Sequence, residues 1–218
     1  YQWATNDPSL RKISYNILSS NFIYSTDFLT DAGITIGDVP QEDRAIETAK
    51  TFLQNLSSYP TDIDEPKSKT SHHMIKNFTL IPVENISDAQ IIRVDFFQKD
   101  IDKLPIIYPR PSKSTINLFI AGGENPEVVE AIYSHKSIDE SATYPIKSSQ
   151  EAFEELKKQK AYIASYSGEP TEIAIKNVYL GYYANEEEQK YLIPVIVFEG
   201  DNDFVAYVSA VKDEWVNK

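Results

Sequence analysis

The chain predicts an α+β fold of two helix-on-antiparallel-sheet units in tandem, with N-terminal strands joining the first, and three observations support it. Strand-like alternation of apolar and polar side chains recurs along most of the 218 residues. Only two segments carry the three-and-four spacing of an amphipathic helix, and they lie about 108 residues apart. Each is followed by antiparallel strand candidates, and runs of strands between single helices argue α+β rather than parallel α/β. The expected division is 1–140, the N-terminal strands plus the first unit, and 141–218, the second unit.

Residues 1–37 read as strands. Tyr1, Trp3 and Thr5 alternate with their neighbours, Asp7-Pro8-Ser9 marks a turn, and Ile13, Tyr15 and Ile17 alternate again, as do Phe22 and Tyr24. The first helix opens with Asp38 as N-cap, Pro40 in the first turn and Glu42 and Asp43 at its positive dipole end. Ile46, Ala49, Leu53 and Leu56 form its apolar stripe, widened by Ala45 and Phe52, and it ends near Ser57 ahead of Pro60. Residues 58–73, with Pro60, Asp62, Asp64 and Pro66, read as a loop. Strands resume at Ile75–Pro82 and Ala89–Gln98. The proline-rich Leu104–Pro111 is excluded from a central strand and reads as an extended excursion. Thr115–Ala121 and Glu127–His135 are strands around a turn at Gly122-Gly123. Ser148-Ser149-Gln150-Glu151 fits a capping box opening the second helix, whose apolar face is Ala152, Phe153 and Leu156. Three strands follow at roughly 171–184, 190–199 and 203–210, the last two joined by a hairpin turn at Glu199–Asp203.

Composition excludes several function classes. A net charge of −12 repels phosphate backbones, and the densest basic stretch, Lys67–Lys76, reads as a flexible loop, so nucleic acid and acidic lipid surfaces are disfavoured partners. The absence of cysteine removes disulfides, thiolate metal sites and cysteine nucleophiles. No run approaches the ~18 apolar residues of a membrane span. The chain begins at Tyr1, within a strand-like segment and without Met, which leads to the expectation of a removed upstream piece, a membrane anchor being one candidate.

No motif survives as a catalytic or cofactor centre. Ser9-Leu10-Arg11-Lys12 matches S-x-x-K but sits between strands, where acylating enzymes require a buried helix start. Ser19-Ser20-Asn21 and Lys69-Thr70-Ser71, which resemble that family's companion motifs, fall with it. His72 and His73 point to opposite faces of an extended segment and do not share a metal. Glu199, Asp201, Asn202 and Asp203 lack the spacing of a calcium loop and read as a turn. Gly122-Gly123 lacks phosphate-loop spacing, and Glu186-Glu187-Glu188 reads as a solvated loop tip. The expected catalytic, metal and cofactor sets are therefore empty. One surface stands out: Tyr179, Tyr182, Tyr183, Tyr191 and Tyr207 cluster in the last strands, either as sheet packing or as an aromatic surface for a protein partner or a glycan.

The run from Phe153 through Val178-Tyr179-Leu180-Gly181-Tyr182-Tyr183, Tyr191-Leu192-Ile193-Pro194-Val195, Phe198-Glu199-Gly200 and Tyr207-Val208-Ser209-Ala210 resembles the carboxy-terminal part of YycI-type and YycH-type regulatory proteins, and more loosely PepSY-type domains. The likeness covers about 148–211 and extends thinly over 40–135, through Arg93–Gln98, Leu104–Ile106 and Val128–Ala131; a Trp common after the Pro of such templates is replaced here by Val195-Ile196. The whole chain also resembles single-span surface proteins of candidate-phylum bacteria. The resemblance implies PepSY/YycI-like units and an extracytoplasmic, membrane-anchored setting, and it supplies no catalytic residues. The expected function is a non-enzymatic binding or regulatory module whose partner is a protein or cell-envelope component, contacting a membrane only through an anchor. Two alternatives are an inhibitor or chaperone-like domain acting on an exported protease, and an envelope enzyme with a scattered site.

Overall fold

Strands dominate the chain. A computed structural model describes residues 1–5, 10–138, 140–168, 172–187 and 189–216. Among them, thirteen strands form one eight-stranded and one curled five-stranded sheet, beside three α-helices. This overturns the expected α+β fold of two helix-on-sheet units. The first sheet extends far beyond its one helix, and the second is a half-barrel. Counting by helices misled because strands read correctly at 1–37, such as Gln2–Ala4 and Lys12–Tyr15, join one eight-stranded sheet that a single helix cannot define. The chain divides into unit 1, residues 1–98 and 114–135, and unit 2, residues 99–113 and 136–218.

Unit 1 is an all-antiparallel sheet ordered β1 (Gln2–Ala4), β2 (Lys12–Tyr15), β3 (Phe22–Ser25), β9 (Glu127–Tyr133), β8 (Ile116–Ala121), β6 (Ile91–Phe96), β4 (Lys69–Lys76), β5 (Thr79–Val83). Helix α1 (Glu42–Asn55) lays Ala45, Ala49 and Leu53 on Ile92, Val94, Phe96, Leu118 and Ile120, the even-numbered face of the central strands. The opposite face packs Phe28, Leu29 and Ile34, from the segment after β3, on Ile91, Phe119 and Val129. Covering on both sides explains why β6 and β8 are buried at every position, with Arg93, Asp95 and Asn117 buried among their apolar residues.

Several local expectations are corrected. The segment to residue 37 holds three strands and then a 3-10 turn at Ala32–Thr35, in which Asp31 accepts from Gly33 N–H at 2.8 Å. The N-cap of α1 is Gln41, not Asp38. Asp38 instead accepts the Gly123 N–H at 3.0 Å, and a Cβ on Gly122 would stand 2.2 Å from the Asp38 carbonyl oxygen. The glycine pair is thus a close backbone approach as well as a loop. Leu56 turns away from the apolar stripe and is exposed. The loop expected over 58–73 ends at Ser68, and Lys69–Lys76 is β4. Ile75–Pro82 is not one strand: it breaks at Asn77 and Phe78, which take φ of 51° and 60° and make a two-residue hairpin turn. The companion segments Ser19–Asn21 and Lys69–Ser71 lie in a turn and in β4, and Lys12 lies in β2; Ser9 and the Asp7-Pro8 turn lie outside the described residues.

Unit 2 orders its strands β10 (Tyr162–Ser165), β13 (Val205–Ser209), β12 (Ile193–Gly200), β11 (Ile175–Tyr183), β7 (Ile106–Ile107). The first four are antiparallel; β7 pairs parallel with β11, Ile106 opposite Tyr182 and Ile107 opposite Tyr183. Helix α2 (Ser149–Lys157) begins with the expected capping box, Ser148 Oγ accepting from Glu151 N–H and the Glu151 side chain accepting from Ser148 N–H. Its Ala152 and Leu156 pack on one face of the sheet, formed by Ile196, Phe198, Ala206, Val208 and Leu180. A short helix, α3 (Asp213–Val216), follows the last strand.

Candidate functional site

The face of the unit 2 sheet turned away from α2 is walled by tyrosine. Register places Tyr162, Tyr207, Val197 and Tyr179 in one row across β10, β13, β12 and β11, so all four project from the same face. Tyr183 lies four residues further along β11 on that face, with Gly181 between them, and Ile107 of β7 packs with it and with Val195, Val197 and Tyr207. The rings are mutually ordered: Tyr162 stacks on Tyr207 at 5.9 Å between centroids, and Tyr183 tilts against Tyr207 at 6.0 Å.

Of the five tyrosines expected as a surface, the structure brings Tyr179, Tyr183 and Tyr207 together. Tyr182, next to Tyr183 in sequence, alternates to the α2 side of β11. Tyr191 precedes β12, is 63% exposed and has the Lys190 ammonium 5.3 Å from its ring centroid. Tyr162 joins the cluster unforeseen. Its strand, Tyr162-Ile163-Ala164-Ser165, shows no apolar–polar alternation, and only the β-forming Tyr-Ile pair after the second helix hinted at it.

The hydroxyls have defined partners. Tyr179 donates to Glu199 Oε1 at 2.7 Å, and Asn177 Nδ2 donates to Glu199 Oε2 at 3.1 Å. Tyr207, 5% exposed, donates to the Tyr108 carbonyl at 3.0 Å, and Tyr162 donates to the Pro109 carbonyl at 3.4 Å. Burial first, then the Glu199 hydrogen bond and charge, pushes the Tyr179 hydroxyl well above the usual phenol range. Burial, followed by the neighbouring Tyr179, Tyr183, Tyr162 and Glu199, does the same to Tyr207. These groups stay protonated at neutral pH and act as hydrogen-bond donors, not as bases or nucleophiles.

The carbonyls they hold belong to the proline-rich excursion, a strap running from Pro105 to Arg110. At the β11 edge, Tyr182 N–H donates to the Pro105 carbonyl at 2.9 Å and Ala184 N–H to the Ile107 carbonyl at 2.8 Å. The next two carbonyls are taken by Tyr207 and by Tyr162 of β10, the opposite edge of the sheet. The strap thus spans the open side of the half-barrel. Gly181 makes room for it: a Cβ there would stand 2.5 Å from Ile107 Cγ1 and 2.9 Å from the Pro105 carbonyl oxygen.

Two charged clusters lie elsewhere. In unit 1, His135 Nε2 lies 2.9 Å and 3.1 Å from the two Asp62 oxygens, and Gln98 Nε2 donates to Asp62 Oδ2 at 2.9 Å. Burial opposes ionisation of Asp62, but the hydrogen bonds from His135 and Gln98 outweigh it and hold the carboxyl below its usual range. The Tyr133 ring lies beside His135, and burial, reinforced by the Asp62 charge, pushes its hydroxyl up to about 12. The pair ties the 58–68 loop to the end of β9. In unit 2, Lys147 bridges Glu155 on α2 and Asp213 on α3, both at 2.9 Å, in a shallow recess of about 520 Å³ also lined by Glu151, Glu154, Lys158 and Lys212.

His72 and His73 do point to opposite faces of β4; His73 is buried edge-on against Phe119. Glu199 and Asp201 are engaged by Tyr179 and Asn177 and by Lys176 respectively. Glu188 of the acidic tip lies outside the described residues. Among the described residues, no group of three or more His, Asp or Glu side chains is placed to hold a metal, and no helix is long and apolar enough to cross a membrane. Compared with protein-family models, curated proteins and solved structures, the chain matches none.

Proposed function

We propose that this chain is a non-enzymatic binding module whose working surface is the tyrosine-walled face of the five-stranded sheet. The observation that carries the reading is the row Tyr162–Tyr207–Val197–Tyr179 with Tyr183 on the same face: ordered rings floor a groove in which the Tyr207 and Tyr162 hydroxyls already donate to main-chain carbonyls of the chain's own extended segment. Tyrosine in this arrangement suits recognition of a polypeptide, because the same side chain buries area and hydrogen-bonds main-chain carbonyls. Envelope extract passed over immobilised protein tests the reading: species retained by the wild type and lost on Tyr162→Ala support it, and retention indifferent to Tyr162, Tyr179 and Tyr183 overturns it.

The proposed setting is extracytoplasmic, on a membrane-anchored bacterial protein. The support is the likeness of residues 148–211 to YycI-type and YycH-type proteins. Surface proteolysis of intact cells expressing the tagged gene product tests it, and full protection of the tag until lysis counts against it. An inhibitor or chaperone-like domain for an exported protease is the second reading, favoured by the extended segment that unit 2 already holds through its carbonyls. Inhibition of an exported protease at stoichiometric protein, lost on strap substitution, would select it.

A further inference from the structure

Unit 2 holds its strap the way a peptide-binding domain holds a peptide. Four of its contacts, at Pro105, Ile107, Tyr108 and Pro109, go to main-chain carbonyls, which any extended polypeptide offers. Parallel pairing on a free sheet edge supplies two of them, and aromatic hydroxyls supply the others, a combination of strand addition with proline-rich recognition on an aromatic floor. Ile106, Ile107 and Tyr108 are all buried, and Ile107 is seated over the missing Cβ of Gly181.

The hold is also limited. The strand β7 is two residues long, and the last contact, from the half-exposed Tyr162, is the longest. The strap is reached through a tight turn in which Ile101 and Leu104 exchange backbone hydrogen bonds at 2.9 Å, with Asp102 and Lys103 at φ of 50° and 68°. That turn type favours Asn-Gly, and two side-chain-bearing residues in left-handed conformation strain it. Strain stored beside a bound segment lowers the cost of releasing it. Charge bears on what the groove selects rather than on release: residues 99–113 carry four Lys or Arg against two Asp in a chain of net charge −12, so a basic segment is attracted.

We propose that the tyrosine-walled face is a groove for an extended, proline-containing, net-basic polypeptide segment, occupied in the resting chain by its own residues 105–110 and opened to a partner's segment when the strap is displaced. The proposal deepens the binding-module reading by naming the ligand and its regulation, and it rests on that reading.

The test uses the full chain and a fluorescent peptide of residues 103–112, read by anisotropy. Ile107→Asp sets a charge in the apolar seat and unseats the strap. The expected result is peptide binding at least tenfold tighter than to the wild type, abolished by adding Gly181→Val and absent for a peptide carrying Asp at the Ile107 position. A folded Ile107→Asp protein, by circular dichroism, with no gain in binding overturns the proposal. Should that variant not fold, protease sites introduced at 101 and 112 allow the strap to be nicked after folding. Exchange of labelled peptide into the nicked protein supports a displaceable occupant, and its failure to enter overturns it. The two readings fail separately: peptide uptake without Tyr162-dependent retention of an envelope species sinks the module and leaves the groove. Retention without peptide uptake sinks the groove and leaves the module.

Discussion

Replacing Asp95 by Asn should cost unit 1 a large part of its stability. Asp95 and Arg93 are both buried on β6; Arg93 donates through Nε to Oδ2 at 2.7 Å and through Nη2 to Oδ1 at 2.6 Å, and Ser114 N–H donates to Oδ1 at 2.7 Å. Phe119 covers the guanidinium at 5.3 Å, and the nearby Glu130 carboxyl is pushed up by burial although Arg93 pulls it down. An Asn amide turns one donor toward donors and leaves Arg93 as a buried, unpaired charge. Breaking one side of such a pair costs about 3–5 kcal/mol, against a total of roughly 5–15 kcal/mol for a domain. With a urea slope near 2 kcal/mol/M, the midpoint should fall by roughly 2 M. Each unit holds one of the two Trp residues, Trp3 in unit 1 and Trp215 in unit 2, so a Trp215→Phe background lets fluorescence follow unit 1 alone. Replacing both partners, Arg93→Met with Asp95→Leu, should by contrast cost only about 1–3 kcal/mol, the cost of leaving the buried Ser114 N–H without its acceptor, because neither charge is then stranded. A loss below about 1 kcal/mol for Asp95→Asn would refute the reasoning, since it would mean that Arg93 finds water or another anion at no cost.

Three further outcomes are expected. Asp62 has a folded value held below its unfolded one, so its contribution is present above about pH 4 and is lost as pH falls through the lowered value; melting temperatures of the wild type and Asp62→Asn should differ at pH 6 and converge on acidification, and a constant gap would contradict the assignment. Gly122→Ala drives a Cβ toward the Asp38 carbonyl oxygen and should destabilise by about 1–3 kcal/mol through forced backbone movement, measured by urea melts. Phe78→Gly relieves the φ of 60° at an exposed turn position and should stabilise by on the order of 1 kcal/mol in the same assay; a loss would show that the 68% exposed ring makes contacts worth more than the strain.

What the sequence made legible follows the range of the interaction involved. The capping box of α2 was readable from four letters because Ser148 and Glu151 answer each other within one turn. The strands β6 and β8 were readable because they are dense in β-forming apolar residues, Ile91, Ile92, Val94 and Phe96 in one and Ile116, Leu118, Phe119 and Ile120 in the other, although Arg93, Asp95 and Asn117 are buried among them. The cap of α1 was misplaced because the helix begins after Gln41, which makes no side-chain cap hydrogen bond, while the main-chain carbonyl of Asp38 meets the distant Gly123 N–H, which no local pattern announces. The Phe78 turn was missed because its residue contradicts its conformation. At the candidate site, Tyr179, Tyr183 and Tyr207 were marked by residue type, and Leu104–Pro111 by its prolines. Their meeting was invisible, since parallel pairing of β7 with β11 leaves no alternation in a two-residue strand.

The parallel pair of β7 and β11 also sets a timetable. Ile106 and its partner Tyr182 stand 76 positions apart in the chain. At about 5–20 residues per second, a ribosome finishes the partner roughly 4–15 seconds after the strap has been made. For that interval the edge that will receive the strap does not exist, and Ile106, Ile107 and three prolines wait in solvent. A nascent chain this long in completing one strand is open to interception, by a chaperone or by another copy's unfinished sheet, and the order of synthesis decides which contact the strap meets first.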